Sequence, residues 1–435
     1  MREMKDSGIA WIGVIPQDWE IVRTKSLYCS AKEIVGDRAD DFERLALTLN
    51  GVIKRSKEDS VGLQPEKFSG YQILKKGELV FKLIDLENVA TSRVGLSPYT
   101  GIVSPAYIVL SKQSRAKDLV VRYSMYHFLS MWQREIFNQM GDNGVRSSLN
   151  TKELLNIPHP FPSIYEQKRI VTFLDAQCAE IDAVLEKTRA SIEEYKKLKQ
   201  AVITQAVTKG IRGDRPMKNS GIEWIGDIPE SWEVSSVRYI GRLQNGISKG
   251  GEFFGKGFPF VSYGDVYKNY ELPHSVSGLI DTTEDERAKY SVEYGDIFFT
   301  RTSETIEEVG FSCVCKRSIP NATFAGFIIR LRPFCADEKI LTDYAKYYFR
   351  GEHIRAYLVK EMNLVTRASL GQTLLKGMSV IVPPKSVQKE IAEYLDDKCA
   401  DIDALVAKKQ QYLTEIENYK KSLIYEYVTG KKEVV

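Results

Sequence analysis

The sequence predicts two mixed α/β (α+β) globular domains, each followed by a long α-helix, arranged as an internal repeat. Three observations support this fold class. The chain has 435 residues, and at roughly 100–200 residues per domain this length allows several domains. A short tryptophan-rich box occurs twice, and a longer segment with a seven-residue apolar period also occurs twice. Repeats of this kind indicate that the chain consists of two half-modules.

The first repeat is a tryptophan box. Residues 7–20 read SGIAWIGVIPQDWE, and residues 220–233 read SGIEWIGDIPESWE. The two boxes share 10 identities in 14 positions at an offset of 213 residues. Chance similarity does not reach this density, so each half-module is expected to begin with one box.

The second repeat is a long segment with a coiled-coil pattern. Residues 167–208 align without a gap to residues 388–429, with 16 identities in 42 positions. In each copy, eight of the ten a and d positions of a heptad are apolar, and the polar exceptions fall at the same two places. Five heptads without proline predict a helix of roughly 60 Å. The expected seam residues include Leu174, Ile181, Leu185, Ile192, Leu395, Ile402, Val406 and Leu413.

The repeats divide the chain into six segments. We expect a first box at 1–20, a first variable domain at 21–163, a first long helix at 164–210, a linker with the second box at 211–233, a second variable domain at 234–384 and a second long helix at 385–432. Gly210 and Gly430 are expected to end the helices. We also expect the chain just after Thr208 to be exposed. The variable domains share only local similarities, such as KGELVFKL at 76–83 and YGDIFFTR at 294–301.

Composition is that of a folded protein. Hydrophobic residues make up 43% and charged residues 27% of the chain, which excludes a disordered or collagen-like protein. There is no apolar stretch of membrane-spanning length and no signal-peptide pattern at the N-terminus, so we expect a cytoplasmic protein without membrane contact. The six cysteines are scattered and the four histidines lie in unrelated contexts, which predicts neither a metal site nor histidine-based catalysis.

The formal charge of +3 conceals a local excess of positive charge. The first variable domain carries 20 Lys and Arg against 15 Asp and Glu, and the second carries 19 against 17. Duplex DNA favours clustered cations because their binding releases counterions. Residues on the predicted loops that could contact DNA are Lys54, Arg55, Lys75, Lys76, Arg93, Arg146, Lys249, Tyr263, Lys268, Arg301 and Arg367. Arg146 and Arg367 share one repeat position, and the sequence allows each of them either to contact DNA or to brace its domain against the helix.

Catalytic motifs are absent from the sequence. The segment 250–257 has the spacing of a phosphate-binding loop up to Lys256, but Gly257 replaces the hydroxyl residue that would hold magnesium. The Pro-Pro at 383–384 lacks the surrounding residues of an adenine methyltransferase motif. No catalytic residue is therefore predicted.

The two Trp-Ile-Gly-x-Ile-Pro-x-x-Trp boxes, the two divergent basic domains and the two helices that begin with Gln-Lys-x-Ile together resemble the DNA-specificity subunits of type I restriction-modification enzymes. The resemblance covers essentially the whole chain. It implies that each variable domain is a target recognition domain for one half of a bipartite, asymmetric DNA site. It also implies that the long helices pack as an antiparallel coiled coil with a pseudo-twofold repeat, which sets the spacer between the half-sites.

The same resemblance implies partners. Two methyltransferase subunits would bind this chain, and restriction subunits would join them in the full complex with double-stranded DNA. S-adenosylmethionine, Mg²⁺ and ATP are expected on those partner subunits, and no cofactor is expected on this chain. Trp11, Trp19, Trp224 and Trp232 are expected at the interface with the partner subunits.

Two alternatives stay open at this stage. A structural coiled-coil adaptor without DNA contact would be consistent with the balanced charge of the helices, and it would show no steep salt dependence of DNA binding. An independent nuclease or methyltransferase is disfavoured by the missing motifs. Activity of the isolated chain would support that second alternative.

Overall fold

The computed structural model describes residues 2–49, 51–59, 67–84, 86, 93–140, 148–213, 215–303, 309–361 and 368–434. The chain forms two compact units. Unit 1 comprises Met1–Arg189 and Gln411–Val435, and unit 2 comprises Ala190–Gln410. Each unit therefore contains one variable domain, one tryptophan box and a part of both long helices.

Unit 1 contains the first twelve strands and the beginning of the first long helix. The strands are β1 Met4–Asp6, β2 Val14–Pro16, β3 Glu20–Arg23, β4 Tyr28–Cys29, β5 Arg44–Thr48, β6 Gly51–Arg55, β7 Gln72–Leu74, β8 Leu79–Lys82, β9 Arg93–Leu96, β10 Gly101–Val103, β11 Ile108–Lys112 and β12 Pro158–Phe161. The helices are α1 Thr24–Leu27, α2 Val121–Gln133, α3 Thr151–Asn156 and α4 Ile164–Lys209, and 3-10 helices span Gly36–Asp41, Phe68–Gly70 and Ile136–Gln139.

The variable domain of unit 1 consists of two sheets and a helix. One sheet has the strand order β6-β5-β10-β7, and the other has the order β4-β11-β8-β9. Apolar side chains fill the space between them: Leu45, Leu47, Val52, Leu74, Val80, Val103 and Val109. On its other face the second sheet packs against α2, where Phe81 meets Phe128 edge to face at 5.1 Å between ring centroids. Strand β8 is apolar on both faces because it is covered on both sides.

Unit 2 contains the remaining strands and helices. The strands are β13 Met217–Asn219, β14 Asp227–Pro229, β15 Glu233–Ser236, β16 Gly241–Asn245, β17 Phe254–Val261, β18 Leu279–Ile280, β19 Ile297–Thr300, β20 Thr302–Ser303, β21 Ser312–Val314, β22 Thr323–Phe324, β23 Ile328–Pro333, β24 Ala368–Ser369 and β25 Ser379–Val382. The helices are α5 Tyr263–Lys268, α6 Glu284–Lys289, α7 Thr342–Tyr348, α8 Glu352–Glu361, α9 Gln372–Gly377 and α10 Lys385–Val428, and 3-10 helices span Val237–Tyr239 and Gly251–Phe253. The last residues of α10 belong to unit 1.

The two variable domains share a sheet that their sequences barely reveal. In unit 2 this sheet has the order β16-β23-β19-β21, which corresponds strand for strand to β4-β11-β8-β9 in unit 1. The locally similar stretches at 76–83 and 294–301 contain β8 and β19, the third strand of each sheet. Each variable domain is also closed by a matching strand pair, β3 with β12 and β15 with β25, directly before its long helix. The variable domains therefore have a common framework with different loops.

The long helices α4 and α10 contain 46 and 44 residues, which corresponds to about 69 Å and 66 Å. Ion pairs between α4 and α10 show that the two helices are antiparallel, because the residue numbers of the partners fall along α10 as they rise along α4. In unit 1, Lys420 pairs with Asp182 at 2.5 Å. In unit 2, Lys199 pairs with Asp403 at 2.6 Å. These two ion pairs are related by the repeat offset, so Lys199 and Lys420, which share one seam position, each have an aspartate on the opposite helix.

The structure places the predicted seam residues on the inner side of the helices. Five of them are buried, namely Leu174, Leu185, Ile192, Leu395 and Ile402. The other three, Ile181, Val406 and Leu413, are half-buried. A heptad stripe becomes buried in this way when two helices pair along it.

The end of α4 differs from our expectation. Thr208 is only 5% exposed, and its hydroxyl donates to the carbonyl of Thr204 at 2.6 Å. Gly210 follows with a φ of +81°, and a Cβ there would lie 3.4 Å from the ring of Trp232. The stretch after Thr208 is therefore less exposed than expected, because the helix ends against the second tryptophan box: Lys209 and Ile211 are half-buried, Gly210 is buried, and Arg212 and Gly213 are exposed.

The tryptophan boxes are core elements of the units. Trp19 is 1% exposed, and its indole Nε1 donates to the Glu166 carboxylate at 2.9 Å. Trp232 is 0% exposed. The expected partner contact of Trp19 and Trp232 is thus corrected, because both rings are covered by the long helices of their own unit. Trp11 and Trp224 are half-buried.

Matching hydrogen bonds anchor each variable domain to the long helices. In unit 1 the Tyr123 hydroxyl donates to the carbonyl of Val428 at 2.9 Å. In unit 2 the Tyr344 hydroxyl donates to the carbonyl of Val207 at 3.1 Å. A buried hydrogen bond fixes direction as well as distance, since an unpaired carbonyl there would cost free energy. The two anchors therefore orient each domain on its helix pair in the same way.

Unit 1 also contains two buried imidazoles near this anchor. The rings of His127 and His159 lie 4.5 Å apart, and both are almost fully buried. Burial lowers the pKa of His159 to about 4, while its hydrogen bond to the Pro160 carbonyl acts in the opposite direction. Burial, and to a smaller extent the charge of protonated His159, lower the pKa of His127 well below its usual value. Both rings are therefore neutral at neutral pH.

Mild acid should destabilise the protein through these groups. The unfolded chain binds protons below a histidine pKa of about 6.5, whereas the folded chain does not bind them at these sites until the pH is much lower. Stability is therefore lost as the pH falls below about 6.5, and at a pH of about 5 the loss is roughly 2 kcal/mol for each buried imidazole. Denaturant unfolding at neutral pH and at a pH of about 5 measures this loss of stability. His159→Gln should remove the part of the loss that comes from the His159 imidazole. Equal stability at the two pH values would contradict the prediction.

Candidate nucleic-acid interface

Unit 1 gathers three arginines around one tyrosine. Arg44, Arg55 and Arg93 begin or end strands β5, β6 and β9. Burial raises the pKa of the Tyr107 phenol, and the charges of Arg44, Arg93 and Arg55 act in the opposite direction, so all three lie within electrostatic range of the phenol. Arg55 and Arg93 were predicted from the sequence, and Arg55 also pairs with Asp59 at 2.6 Å.

Arg44 was missed by the sequence analysis. It stands directly opposite Arg55 in the antiparallel pair of β5 and β6, and its guanidinium lies over the ring of Phe68 at 5.5 Å. Like charges directly opposite each other on neighbouring strands are destabilising. Here the carboxylate of Asp59, 2.6 Å from Arg55, compensates this repulsion, and Arg44 is only 7% exposed, with its guanidinium donating to the carbonyl of Ser56. Strand register was the missing information, because it cannot be read from one strand alone.

The predicted lysines of unit 1 lie on the same sheet but already have acidic partners. Lys54 pairs with Glu43 at 2.6 Å, and Lys75 pairs with Glu33 at 2.9 Å. The hydrogen bond to Glu43 raises the pKa of Lys54. Exposed pairs of this kind contribute little stability, so the lysines can exchange a carboxylate for a phosphate at small cost. Lys76 is exposed beside them.

In unit 2, three loops meet at one turn, residues 325–327. The amide of Gly326 donates to the carbonyl of Ile247, and the amide of Ala325 donates to the carbonyl of Val261. The amide of Arg301 donates to the carbonyl of Phe327 at 2.9 Å. The loop cluster of unit 2 thus comprises residues 246–249, 261–263, 301 and 325–327.

Close approach in this cluster depends on glycine. A Cβ on Gly246 would lie 2.2 Å from the carbonyl oxygens of Phe324 and Ala325, and one on Gly326 would lie 2.2 Å from Ser248 Oγ. At Gly246 backbone oxygens leave no room for a Cβ, so the loops approach this closely because that position is glycine, whereas at Gly326 the Ser248 side chain would have to move.

The loop cluster contains three of the predicted residues, Lys249, Tyr263 and Arg301. Lys249 pairs with Glu286 at 2.6 Å, and this hydrogen bond lowers the pKa of Glu286. The ring of Tyr263 stacks on Tyr267 at 6.0 Å between centroids. Cationic, aromatic and amide groups on adjacent loops are the combination that contacts phosphates and base edges.

Phe327 was not predicted as a site residue. Its side chain is 61% exposed at the centre of the loop cluster, although it directly precedes the buried strand β23. A large apolar side chain exposed among polar loops indicates a contact surface. One sequence feature could have identified Phe327 as a site residue, namely its position after Gly326 at a turn that leads into an apolar strand.

Three predicted residues lie elsewhere. Lys268 is exposed at the opposite end of α5 from Tyr263. Arg146 and Arg367 lie outside the residues that the structure describes.

Within the described part of the chain, no group of three or more His, Cys, Asp or Glu side chains is placed to hold a metal ion. In that same part, no helix combines the length and apolarity needed to cross a membrane.

Comparisons with known proteins agree with this architecture. The family model described as "Type I restriction modification DNA specificity domain" matches residues 16–194 and 229–417. The chain is 24% identical over 428 residues to the type I restriction enzyme MjaVIII specificity subunit of Methanocaldococcus jannaschii, covering 97% of this chain and 94% of that protein. It is also 24% identical to the EcoKI specificity subunit of Escherichia coli K12, covering 64% of this chain and 58% of that subunit.

A solved structure has the same fold. Its title is "Structural basis underlying complex assembly and conformational transition of the type I R-M system", and one of its chains superposes with a TM-score of 0.71. The match covers 96% of this chain and 99% of the other at 14% sequence identity.

These features define a DNA-specificity protein with two target recognition domains on a coiled-coil framework. The chain belongs to the type I restriction-modification DNA specificity family, whose domain it contains twice. The two variable domains are its target recognition domains. The similar proteins are specificity subunits of type I restriction enzymes.

Proposed function

We propose that each recognition domain binds one half of a bipartite, asymmetric DNA site, and that the coiled coil sets the number of base pairs between the halves. The observation that carries this proposal is the common sheet framework with different loops. Identical frameworks place two surfaces in equivalent positions, and different loops then contact different bases. In unit 1 the surface is the arginine group around Tyr107, and in unit 2 it is the loop cluster around Gly326.

The chain itself is not catalytic in this proposal. It recruits two methyltransferase subunits, which bind S-adenosylmethionine and modify adenine, and restriction subunits that use Mg²⁺ and ATP then join them in the cytoplasm. Support comes from the paired features of the two units, since two copies of one partner need two equivalent contact surfaces. The half-buried Trp11 and Trp224 occupy equivalent positions in the two units.

Mapping the methylated positions produced by this chain with its methyltransferase tests the proposal. The expected result is a single bipartite, asymmetric target with a spacer of constant length. The matched control is a chain in which residues 246–249 and 325–327 are exchanged for loops of another specificity, which should change one half-site only. A palindromic or one-part target would refute the two-domain proposal, and binding to DNA without steep salt dependence would favour the adaptor alternative.

The half-buried tryptophans provide a test of partner recruitment. Trp224 stacks on Tyr357 at 4.8 Å between ring centroids, and Trp11 lies 5.7 Å from His127. We expect Trp11→Ala or Trp224→Ala alone to lower the number of bound methyltransferase subunits from two to one, and the double variant to lower it to none. The mass of the purified complex measures this number. Two bound subunits in a folded double variant would contradict the assignment.

A further inference from the structure

Unit 2 exposes aromatic and basic side chains next to the beginning of β16. Tyr239 is 59% exposed and Phe334 is 61% exposed. Arg238 lies over the ring of Tyr239 at 5.4 Å, and Arg242 lies over the ring of Phe334 at 6.0 Å. The ammonium group of Lys339 donates to the carbonyl of Tyr239 at 3.0 Å. These five residues form the β16 patch.

The charge of the β16 patch is positive. Among the described residues, no carboxylate lies within ion-pair distance of Arg238, Arg242 or Lys339. Glu338 lies in the depression beside them. Three cations against one carboxylate, interleaved with exposed aromatic rings, form a surface suited to a polyanion with flat apolar groups.

A groove extends from the β16 patch along the strand that leads to the loop cluster. A cavity of about 580 Å³ runs along β16 and β23, and its lining includes Arg242, Gln244, Arg330 and Arg332. Arg242 stands opposite Arg332, and Gln244 stands opposite Arg330. Strand β16 then ends at Asn245, directly before the loop cluster. The distance along the strand from Arg242 to Asn245 is about 10 Å, which corresponds to about three base-pair steps of a duplex.

Unit 1 does not have this patch. The repeat offsets and the strand equivalence place Lys25, Ser26, Cys29, Gln113 and Asp118 at the corresponding positions. Both aromatic rings are absent from unit 1, where Lys25 stands for Arg238, Cys29 for Arg242 and Asp118 for Lys339. Exposed cations nevertheless remain in the same segment, namely Lys112, Arg115 and Lys117, the last in place of Glu338. The Gln113 side chain donates to the carbonyls of Lys25 and Tyr28 within its own domain. The combination of exposed aromatic rings with cations is therefore a property of unit 2.

We propose that the β16 patch binds the sugar-phosphate backbone of duplex DNA next to the half-site contacted by unit 2. This inference rests on the proposed function of the loop cluster. It adds a contact with the DNA backbone outside the half-site whose bases the loop cluster contacts. The groove then guides the backbone from the loop cluster to Arg238, Arg242 and Lys339. Because the contacts are to phosphates, they add affinity without sequence preference.

The experiment compares the complex of the chain and its methyltransferase with a variant that carries Arg238→Gln, Arg242→Gln and Lys339→Gln. In hydroxyl-radical footprinting on the native target, the variant complex is expected to lose protection of the DNA beside the half-site contacted by unit 2. It should keep the protection of the half-site contacted by unit 1. The slope of log affinity against log salt should become less steep by about 2 to 3, and affinity should fall about tenfold or more at physiological ionic strength. Lys25→Gln in unit 1 is the matched control and should leave the footprint unchanged.

Other outcomes decide the proposal clearly. Recovery of the footprint by Arg238→Lys and Arg242→Lys, with Lys339 intact, would support a backbone contact, because a phosphate needs charge more than a planar fork. An unchanged footprint in the triple variant would overturn the proposal. Loss of the methyltransferase from the variant complex would also overturn it and identify an acidic protein surface as the ligand. A wild-type complex that lacks any bipartite footprint would instead refute the proposed function.

Discussion

Inserting one heptad into each long helix should lengthen the spacer between the two half-sites by about three base pairs without changing the sequence of either half-site. Seven residues keep the apolar seam in phase and add about 10 Å to a helix. The suitable positions lie after Arg189 in α4 and after Gln410 in α10, at the boundary of the two units. Each unit then keeps all its internal contacts. Affinity for the original target should fall about a hundredfold or more, since one half-site is lost.

Binding to a library of targets with variable spacers measures this change. Insertion into α4 alone is the control. It lengthens only one of the two helices, so the Lys199–Asp403 pair and the Lys420–Asp182 pair can no longer form in the same register. We expect that control to destabilise the folded chain and to select no new spacer. A folded double-insertion protein that still prefers the original spacer, or that prefers new half-site bases, would refute the role of the helices in spacing.

Replacing Arg55 and Arg93 by alanine should abolish selective binding of one half-site. Each arginine contact to a base or phosphate contributes about 1–3 kcal/mol of binding free energy, so the double variant should bind about a hundredfold more weakly. The preference at the other half-site should be unchanged, because unit 2 retains its loop cluster. Competition between targets mutated in one half or the other measures both effects.

The control for this experiment is Lys152→Ala, which removes an exposed cation from α3 of the same unit. Arg93→Lys separates two kinds of contact. A lysine preserves a phosphate contact but loses the bidentate fork that a guanine requires. Equal loss of preference at both half-sites would contradict the assignment of these arginines to one domain.

The repeat was the most informative property of the sequence. Two conserved boxes and a heptad segment are local patterns, so they can be recognised wherever they occur along the chain. They predicted the two long helices and the internal symmetry. The ion pairs of Lys199 and Lys420 show why even the polar exceptions recur: each of these lysines faces an aspartate at the same position of the opposite helix.

The equivalence of the two recognition domains was much harder to predict. Similarity is limited to local stretches such as the segments that contain β8 and β19, since buried strands are constrained to be apolar and loops are not. Arg44 illustrates the same limit at the site. Its significance depends on the register of β5 and β6, which the two strands acquire only when they pair.

The tryptophans show where a sequence pattern misleads. The repeated box and the family resemblance it carries implied partner contacts for Trp19 and Trp232, yet both rings fill the core where a long helix ends. The pattern alone cannot separate the two reasons for repetition, because a shared core and a shared partner constrain residues in the same way.

By itself, the sequence determined the doubled architecture, the helix pair and the location of positive charge in the variable domains, because periodicity, identity and charge are properties of the chain. The tertiary structure decided which residues meet: the three arginines around Tyr107, the loops joined through Gly246 and Gly326, and the β16 patch present in unit 2 alone. Such sites combine residues that are distant in the chain, and only the pairing of strands brings their side chains into contact.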